Sequence, residues 1–315
     1  MPRVLIIDEM HDSITTMLAS IDVEFTYLPK ITRSEILAII SDYDGLIVRS
    51  KCKIDAHFLS FAQKLKFIGR AGAGLDLIDL DETKKLGIEV FAANEANKVA
   101  VAEHVLGMQL SLMNNIAKSF QEVKNNIWLR EENRGDELFG KTVGIIGFGN
   151  NGSETAKRFA CFGCRVIAYD KYKSGFGNEF VEEVEMHDIF EFSDILSLHI
   201  PLTNETSKIV DTYYFNNFKK NIYLINAARG EILVLNDVVK SLKSGKLKGA
   251  CLDVLENEKL NTLTPAQIAD FDFLKSAPNV ILTPHIAGWT HESYYKINEV
   301  LVEKIKRWRS LRFDI

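Results

Sequence analysis

The stretch TVGIIGFGNNGSETAKRF, residues 142–159, decides the fold, because a strand-forming run enters a Gly-x-Gly-x-x-Gly loop and then a helix-compatible segment. Gly147, Gly149 and Gly152 occupy the three glycine positions. In such a loop the first glycine makes a tight turn, the second lets the backbone approach a pyrophosphate, and the third brings the helix close to the strand. The helix N-terminus adds N–H groups that attract the phosphates. The stretch therefore predicts a dinucleotide site on a parallel α/β sheet.

The next predicted strand, residues 165–169, supports this interpretation because an acid follows it. Asp170 lies 18 positions after Gly152, near the ~20 expected for the acid that binds the ribose of NAD. An ordinary turn residue at the end of a strand is the alternative for Asp170. Asn150 and Asn151, between the second and third glycines, are assigned to the same cofactor site.

Composition and charge restrict the class of protein. The 315 residues suffice for about two domains, and 46% hydrophobic with 26% charged residues is typical of a soluble globular chain. A net charge of −5 disfavours nucleic acid as a partner, since its binders usually carry a basic surplus. No run approaches the ~20 apolar residues of a membrane helix, and the amino terminus lacks a signal peptide. We therefore expect a cytoplasmic protein that binds no membrane.

The four cysteines do not form a disulfide framework, but two of them have a spacing that has to be weighed. Cys161 and Cys164 form a Cys-x-x-Cys pair, which occurs in redox and zinc sites. No second Cys/His pair follows at ligand spacing, and Gly163 suits the end of a helix there. We therefore predict a structural role for this pair and no metal site.

Strand-like and helix-like segments alternate along the chain, which predicts an α/β fold with two doubly wound parallel sheets of the Rossmann or flavodoxin type. The first series has five predicted strands, at residues 4–7, 23–28, 45–48, 66–69 and 88–92. The second has six, at residues 142–147, 166–169, 195–200, 223–227, 250–254 and 280–283. Between the two series, residues 98–127 have helical spacing, and His104 is expected to pack within that connector.

Residues that carry chemistry follow three consecutive strands of the second series. Arg229 lies after the fourth strand and His285 after the sixth, while Asp253 ends the fifth with Glu256 and Glu258 just beyond it. In open α/β sheets, ligands bind at this carboxyl edge. An arginine, a carboxylate and a histidine suit the interconversion of an alcohol and a carbonyl, which needs a cation for the substrate and a tuned base.

A second loop of small residues, 69–76, follows the fourth strand of the first series. Leu77 stands in place of its third glycine, and no acid closes the next strand, so the loop departs from the cofactor pattern. Gly72, Ala73 and Gly74 can form a nest of N–H groups that holds an anion. We assign this loop to the substrate, with a plain tight turn as the alternative.

Several motifs in one order resemble the D-isomer-specific 2-hydroxyacid dehydrogenase family, nearest to its D-3-phosphoglycerate dehydrogenases. The matching stretches are residues 46–50, 69–76, 101–103, the glycine loop through Asp170, and residues 226–230, 249–254 and 283–288. The resemblance implies a discontinuous substrate-binding domain, 1–97 plus 289–315, and an NAD-binding Rossmann domain, 98–288, with the active-site cleft between them. It also implies a homodimer formed through residues 98–141, and a short form without a C-terminal regulatory domain.

The resemblance implies a catalytic set of Arg229, Glu258 and His285, with Glu258 preferred to Glu256 because it lies five positions after Asp253. Neutral His285 would take the hydroxyl proton while hydride passes to the nicotinamide. Ionised Glu258 would stabilise the imidazolium, and Arg229 would bind the substrate carboxylate. Asp253 would face the nicotinamide carboxamide. The resemblance places further cofactor contacts at His199, Pro201, Thr206, Ala227 and Gly288, with Arg229 and His285 also touching the cofactor.

The substrate side is assigned to Arg49, Ser50, Arg70, Gly72, Ala73 and Gly74, together with Arg229 and His285. Arg49 and Arg70 could hold a phosphate dianion between two guanidinium groups. The resemblance then implies 3-phosphoglycerate and 3-phosphohydroxypyruvate as the substrate pair, as in serine biosynthesis. Solvated charges at strand ends are the alternative for both arginines.

Two other functions stay open. A glyoxylate/hydroxypyruvate reductase has the same reaction class, and an NAD-sensing corepressor would be a binding protein of another class. In the whole connector, residues 98–141, Trp128, Leu138 and Phe139 are candidates for the dimer interface, with packing inside the chain as the alternative.

Overall fold

The computed structural model describes residues 1–313 and divides into two units. One unit comprises Met1–Asn97 and the segment from Trp289 onward, and the other comprises Lys98–Gly288. Each is an α/β unit with a parallel sheet, which confirms the predicted fold class. Of the predicted segment 289–315, Asp314 and Ile315 lie outside the described residues.

The first unit is built on a five-stranded sheet with the order β2-β1-β3-β4-β5, and all four strand pairs are parallel. Its strands are β1 (Arg3–Ile6), β2 (Glu24–Tyr27), β3 (Gly45–Val48), β4 (Phe67–Arg70) and β5 (Glu89–Ala92). The helices between them are α1 (Ser13–Ala19), α2 (Arg33–Ile39), α3 (Ala56–Phe61) and α4 (Leu80–Lys85). The strands agree closely with the predicted ones. Strands β1, β3 and β4 are largely buried, as expected of apolar runs in a parallel sheet, whereas β2 and β5 at the two edges are at most partly buried.

The second unit begins with α5 (Lys98–Met113) and α6 (Ile116–Lys124) and continues as an alternating series. Its strands are β6 (Thr142–Ile146), β7 (Arg165–Tyr169), β8 (Glu182–Glu183), β9 (Ile195–Leu198), β10 (Ile222–Asn226), β11 (Leu247–Leu252) and β12 (Val280–Leu282). The remaining helices are α7 (Asn150–Cys161), α8 (Met186–Phe192), α9 (Thr212–Asn216), α10 (Leu235–Lys243) and α11 (Pro265–Ser276). The strands lie in the order β12-β11-β10-β9-β6-β7-β8, and every pair is parallel.

The prediction of six strands in this sheet was wrong by one. Strand β8 consists of two exposed glutamates at the edge beside β7, so no apolar run announces it. The connector also differs, because α5 ends before Asn114 and α6 begins at Ile116. Asn115 between them has a φ of +52°, the left-handed conformation that asparagine tolerates better than most residues.

The last helix, α12 (His291–Phe313), completes the core of the first unit. Leu301 and Ile305 are fully buried, and the Trp308 ring lies 4.6 Å from the Phe67 ring on β4. Asn298 donates hydrogen bonds to the His11 carbonyl and the Ser13 hydroxyl near the start of α1. Each fully buried side chain of this size contributes roughly 1.5–3 kcal/mol, so α12 is an integral part of this unit.

No helix within residues 1–313 has both the length and the apolar character needed to cross a bilayer.

Three side chains of the connector were predicted to lie at an interface, and the prediction was wrong for one of them. Leu138 is buried in the hydrophobic core of its own unit. Trp128 and Phe139 are 82% and 75% exposed, so their surface is available to a partner.

Candidate active site

The predicted catalytic histidine and glutamate are in direct contact. His285 follows β12, Glu258 lies in the loop after β11, and Nδ1 of the histidine is 3.0 Å from the carboxylate. This hydrogen bond is the largest influence on the imidazole and raises the pKa of His285 above its ordinary value, against the effect of burial. Both side chains are 45% exposed, so a small molecule in solution can reach them.

The neighbouring acid has a different partner. Glu256 forms an ion pair with Lys208 at 3.1 Å, so Glu258 is the acid at His285. The backbone N–H of Lys259 donates to the Asn257 side chain at 3.0 Å, which closes the loop that carries Glu258.

Asp253 fixes the loop that carries His285. Its carboxylate accepts hydrogen bonds from the Thr283 hydroxyl at 2.6 Å and from the N–H groups of Ile286 and Ala287, both at 2.9 Å. Its carbonyl accepts the His285 N–H at 2.7 Å. His285 has a φ of +56°, a conformation that costs a non-glycine residue roughly 1–2 kcal/mol, and these bonds hold it there. The Asp253 side chain has no exposed surface, so its contact with a nicotinamide stays a prediction.

The sequence interpretation missed the role of His104. Instead of only packing in the connector, its Nε2 lies 3.0 Å from the Thr283 hydroxyl and 3.6 Å from the Asp253 carboxylate. A histidine in the apolar stripe of α5 is the one signal in the sequence that could have marked it. His104, Thr283 and Asp253 form a polar network beneath the His285 loop.

Arg229 lies just after β10, where buried Asn226 shapes the turn. The Asn226 side chain donates to the Arg229 carbonyl at 2.9 Å and accepts the Ala228 N–H at 3.1 Å. The guanidinium of Arg229 donates to the Ala228 carbonyl at 2.7 Å. Its charge opposes the protonation of His285 and so works against the rise in the histidine pKa. Arg229, Glu258 and His285 therefore act on one another electrostatically, as their strand-end positions predict.

The glycine loop has the geometry that a pyrophosphate needs. Gly147 has a φ of +92°, and a Cβ there would lie 2.6 Å from the His199 carbonyl. A Cβ on Gly152 would lie 2.0 Å from the Gly147 carbonyl, whereas one on Gly149 would meet no atom within 4 Å. The first and third glycines are thus required by packing, and the second faces open space at the start of α7, which begins at Asn150 with Asn151 next. These features fit the diphosphate of NAD.

Asp170 is positioned beside this loop. One carboxylate oxygen accepts the Phe148 N–H at 2.7 Å, and the other accepts the N–H groups of Tyr172 and Lys173 at 2.9 and 3.1 Å. Asp170 therefore has the structural role in a turn that was given as its alternative, and it also contacts the glycine loop through Phe148. Its contact with a ribose stays a prediction.

The other predicted cofactor residues lie in the loops that follow β9, β10 and β12. His199 lies 2.9 Å from the Ser197 hydroxyl, and burial lowers the pKa of His199 to about 4, so its ring is neutral at neutral pH. Thr206 closes the following turn by donating to the Pro201 carbonyl at 2.6 Å. Ala227 comes directly after β10, and Gly288 is the last residue of the second unit.

In the first unit, two residues that the sequence did not single out position Arg49. Buried Asp8 accepts the N–H groups of Arg49, Ser50 and Lys51 at 2.6, 3.3 and 3.4 Å. The Arg49 guanidinium lies 4.6 Å from the centre of the Trp289 ring, a cation–π contact. Arg49 is half-buried, so the alternative of a freely solvated charge at a strand end does not apply to it.

Arg70 is held by its own loop. Its guanidinium donates to the Ala71 carbonyl at 2.8 Å, and a Cβ on Gly72, whose φ is +147°, would lie 1.6 Å from the same nitrogen. The side chain thus folds over the start of the loop that continues through Ala73 and Gly74. Arg49 contacts the Trp289 ring and Arg70 the Ala71 carbonyl, and the binding of one phosphate by both arginines stays a prediction.

The Cys-x-x-Cys pair has a structural environment. Gly163 has a φ of +73° just after α7, and Cys161 is exposed whereas Cys164 is buried. Burial raises the pKa of the Cys164 thiol to about 11, which keeps it protonated. Among residues 1–313, no group of three or more His, Cys, Asp or Glu side chains could hold a metal ion.

Comparisons with known proteins agree with this geometry. The family model for the NAD-binding domain of D-isomer specific 2-hydroxyacid dehydrogenases matches residues 106–287. The chain is 34% identical to the D-3-phosphoglycerate dehydrogenase of Methanocaldococcus jannaschii over 98% of its own length, but covers 57% of that relative. It is 35% identical to the hydroxypyruvate reductase of Thermotoga maritima, with 96% of this chain and 97% of the relative aligned. The chain thus spans little more than half of the first relative and nearly all of the second.

Solved structures show the same architecture. The D-lactate dehydrogenase of Aquifex aeolicus, complexed with NAD and lactic acid, is similar with a TM-score of 0.83 and 28% identity, covering 99% of this chain and 96% of that one. A glyoxylate reductase from Paecilomyes thermophila has a TM-score of 0.87 at 23% identity, covering 99% and 96%, and at that identity shows a likeness of fold alone.

Proposed function

The chain belongs to the D-isomer-specific 2-hydroxyacid dehydrogenase family, whose members are NAD-dependent oxidoreductases, and on that premise we propose that it interconverts a D-2-hydroxy acid and a 2-keto acid. The family membership confirms the resemblance expected from the motifs. The contact of 3.0 Å between His285 and Glu258 carries the proposal, because it supplies a histidine tuned for proton transfer.

Each catalytic side chain has a task that follows from its charge. In oxidation, neutral His285 accepts the hydroxyl proton, and Glu258 stabilises the imidazolium that forms. Arg229 binds the substrate carboxylate and polarises the reacting oxygen. Bound NAD would supply the hydride acceptor. In reduction, protonated His285 donates the proton to the carbonyl oxygen.

The chain's own groups would hold NAD at the glycine loop. Gly147, Gly149 and Gly152, with the start of α7, would receive the pyrophosphate. Asp170 would bind the adenosine ribose and disfavour a 2′-phosphate by charge repulsion. The loops after β9, β10, β11 and β12, which carry Thr206, Ala227, Asp253 and Gly288, would border the rest of the cofactor.

We assign the substrate to a phosphorylated three-carbon acid, with 3-phosphoglycerate and 3-phosphohydroxypyruvate as the pair that serves serine biosynthesis. Half-buried Arg49 and Arg70 support this assignment because they supply two guanidinium groups in one unit. The 34% identity to a D-3-phosphoglycerate dehydrogenase also supports it. The second candidate is a hydroxypyruvate reductase, which is favoured by a relative of 35% identity that this chain covers almost completely.

We further propose a homodimer formed through residues 98–141 and a cytoplasmic location. Large apolar side chains are exposed along part of that segment, namely Ile116, Phe120, Val123, Trp128 and Phe139. A concentration of exposed apolar surface favours a protein interface.

A spectrophotometric screen tests the reaction class. The purified protein is mixed with NADH and a series of 2-keto acids, and the loss of NADH absorbance is followed. We expect turnover that falls roughly 10² to 10⁴-fold in His285→Ala. Binding of NADH without turnover of any 2-keto acid would instead indicate a cofactor-sensing protein of the corepressor type.

A further inference from the structure

Two loops of the second unit join beside Asp170. Nζ of Lys171 lies 2.7 Å from a carboxylate oxygen of Glu205, and the Tyr172 hydroxyl donates to the same oxygen at 2.8 Å. The contact with Lys171 lowers the pKa of Glu205 and raises that of the lysine, so both groups are ionised at neutral pH. One carboxylate oxygen of Glu205 therefore forms an ion pair with Lys171 and accepts a hydrogen bond from Tyr172.

The other lysine next to this acid also has a partner. Nζ of Lys173 donates to the Phe148 carbonyl in the glycine loop at 3.0 Å, and its backbone N–H donates to Asp170. Both cations that could offset the charge of Asp170 are thus bonded within the protein. Lys171 and Glu205 are 58% and 59% exposed, so a ligand at the surface could compete for Lys171 if Glu205 were neutral.

We propose that Glu205 determines cofactor specificity by holding Lys171, so that this cation does not bind the 2′-phosphate of NADP(H). The inference rests on the proposed NAD site, because Asp170 must lie at the adenosine ribose for Lys171 to be near a 2′-phosphate. A 2′-phosphate there meets the negative charge of Asp170, and it gains from a lysine only where that lysine is free to form a charge-assisted bond. Glu205 acts through Lys171 and is a positioning residue.

Equilibrium binding tests this role without the catalytic reaction. NADH and NADPH are titrated into the protein, and the ratio of the NADPH to the NADH dissociation constant is measured from the fluorescence of the reduced nicotinamide. Glu205→Gln should lower that ratio by about two- to fivefold, the range expected for one exposed ion pair. The Gln side chain can still accept the Tyr172 hydroxyl. The change should shrink when the salt is raised from about 0.05 M to about 0.5 M.

Asp272→Asn is the matched control, because Asp272 pairs with Lys275 at 2.7 Å and has similar exposure, 60%, in the same unit. It changes the net charge equally and should leave the ratio unchanged. The Lys171→Met background provides the second test, since the effect of Glu205→Gln should vanish there.

The inference is overturned if Glu205→Gln leaves the ratio unchanged, if Asp272→Asn lowers it equally, or if the effect persists in Lys171→Met. In each of those cases NADH still binds, and the proposed function stands. Failure of NADH to bind the wild-type protein would overturn the proposed NAD site and this inference with it.

Discussion

At the scale of single residues, the proposed chemistry depends on which of two glutamates contacts His285. Glu258 contacts His285 at 3.0 Å, while Glu256 is paired with Lys208 at 3.1 Å. The two glutamates are two positions apart in one loop, so each is a matched control for the other. The proposed proton transfer predicts that only one of them influences the histidine.

Glu258→Gln should lower the pH at which the reductive rate declines. Reduction requires protonated His285, and the Glu258 carboxylate raises the pKa of that group. Its removal lowers the pKa, so the alkaline limb of the kcat/KM profile moves to lower pH, whereas Glu256→Gln leaves the limb in place. A shift in Glu256→Gln with none in Glu258→Gln would show that the assignment is wrong.

Arg49→Ala tests the assignment of the phosphate. Loss of one guanidinium removes a charge-assisted contact of ~1.5–3 kcal/mol, so kcat/KM for 3-phosphohydroxypyruvate should fall at least about tenfold. Activity with unphosphorylated hydroxypyruvate should change little. Arg3→Ala is the control, because Arg3 also stacks on an aromatic ring of this unit, that of Tyr43 at 5.1 Å. Equal losses with both substrates would refute a phosphate-specific role for Arg49.

At the scale of elements, α12 makes the first unit complete. Leu301 is fully buried in the hydrophobic core of this unit, whereas Leu311 on the same helix is 80% exposed. Leu301→Ala should therefore lower the free energy of unfolding by about 2–5 kcal/mol. Leu311→Ala should stay within about 0.5 kcal/mol of the wild type. Urea denaturation compares them, and equal stabilities of the two variants would contradict the packing of α12.

The elements also show which features the sequence can predict. Strand β3 is a buried apolar run and is predictable, whereas β8 is a pair of exposed glutamates and is not. His285 and Arg229 were found because motifs place them at strand ends. The groups that position the site, such as Asp8 and His104, were missed because their partners lie 41 and 179 residues away in the chain. A hydrogen bond over that separation leaves no periodic signal.

At the scale of the whole molecule, the chain passes between its units twice, after Asn97 and after Gly288. The second passage follows the loop that carries His285 and precedes Trp289, which contacts Arg49. The proposed catalytic set thus belongs to the second unit, and the residues assigned to the phosphate belong to the first.

The proposed dimer gives a prediction at the same scale. Phe120 is 56% exposed on α6, and a charge at a buried interface position is strongly unfavourable, so Phe120→Asp should separate the protomers. Sedimentation equilibrium should give twice the chain mass for the wild type and a single chain mass for the variant. Tyr213→Asp is the control, since Tyr213 is 82% exposed on α9 outside the segment. A monomeric wild type would refute the dimer.

The most direct measurement is the ratio of kcat/KM with NADH for 3-phosphohydroxypyruvate and for unphosphorylated hydroxypyruvate, determined on one preparation of the wild-type protein. Two guanidinium groups on one phosphate dianion should favour the phosphorylated acid by at least about tenfold. Comparable values, or a preference for hydroxypyruvate, would contradict the assignment of Arg49 and Arg70 and establish a hydroxypyruvate reductase in its place.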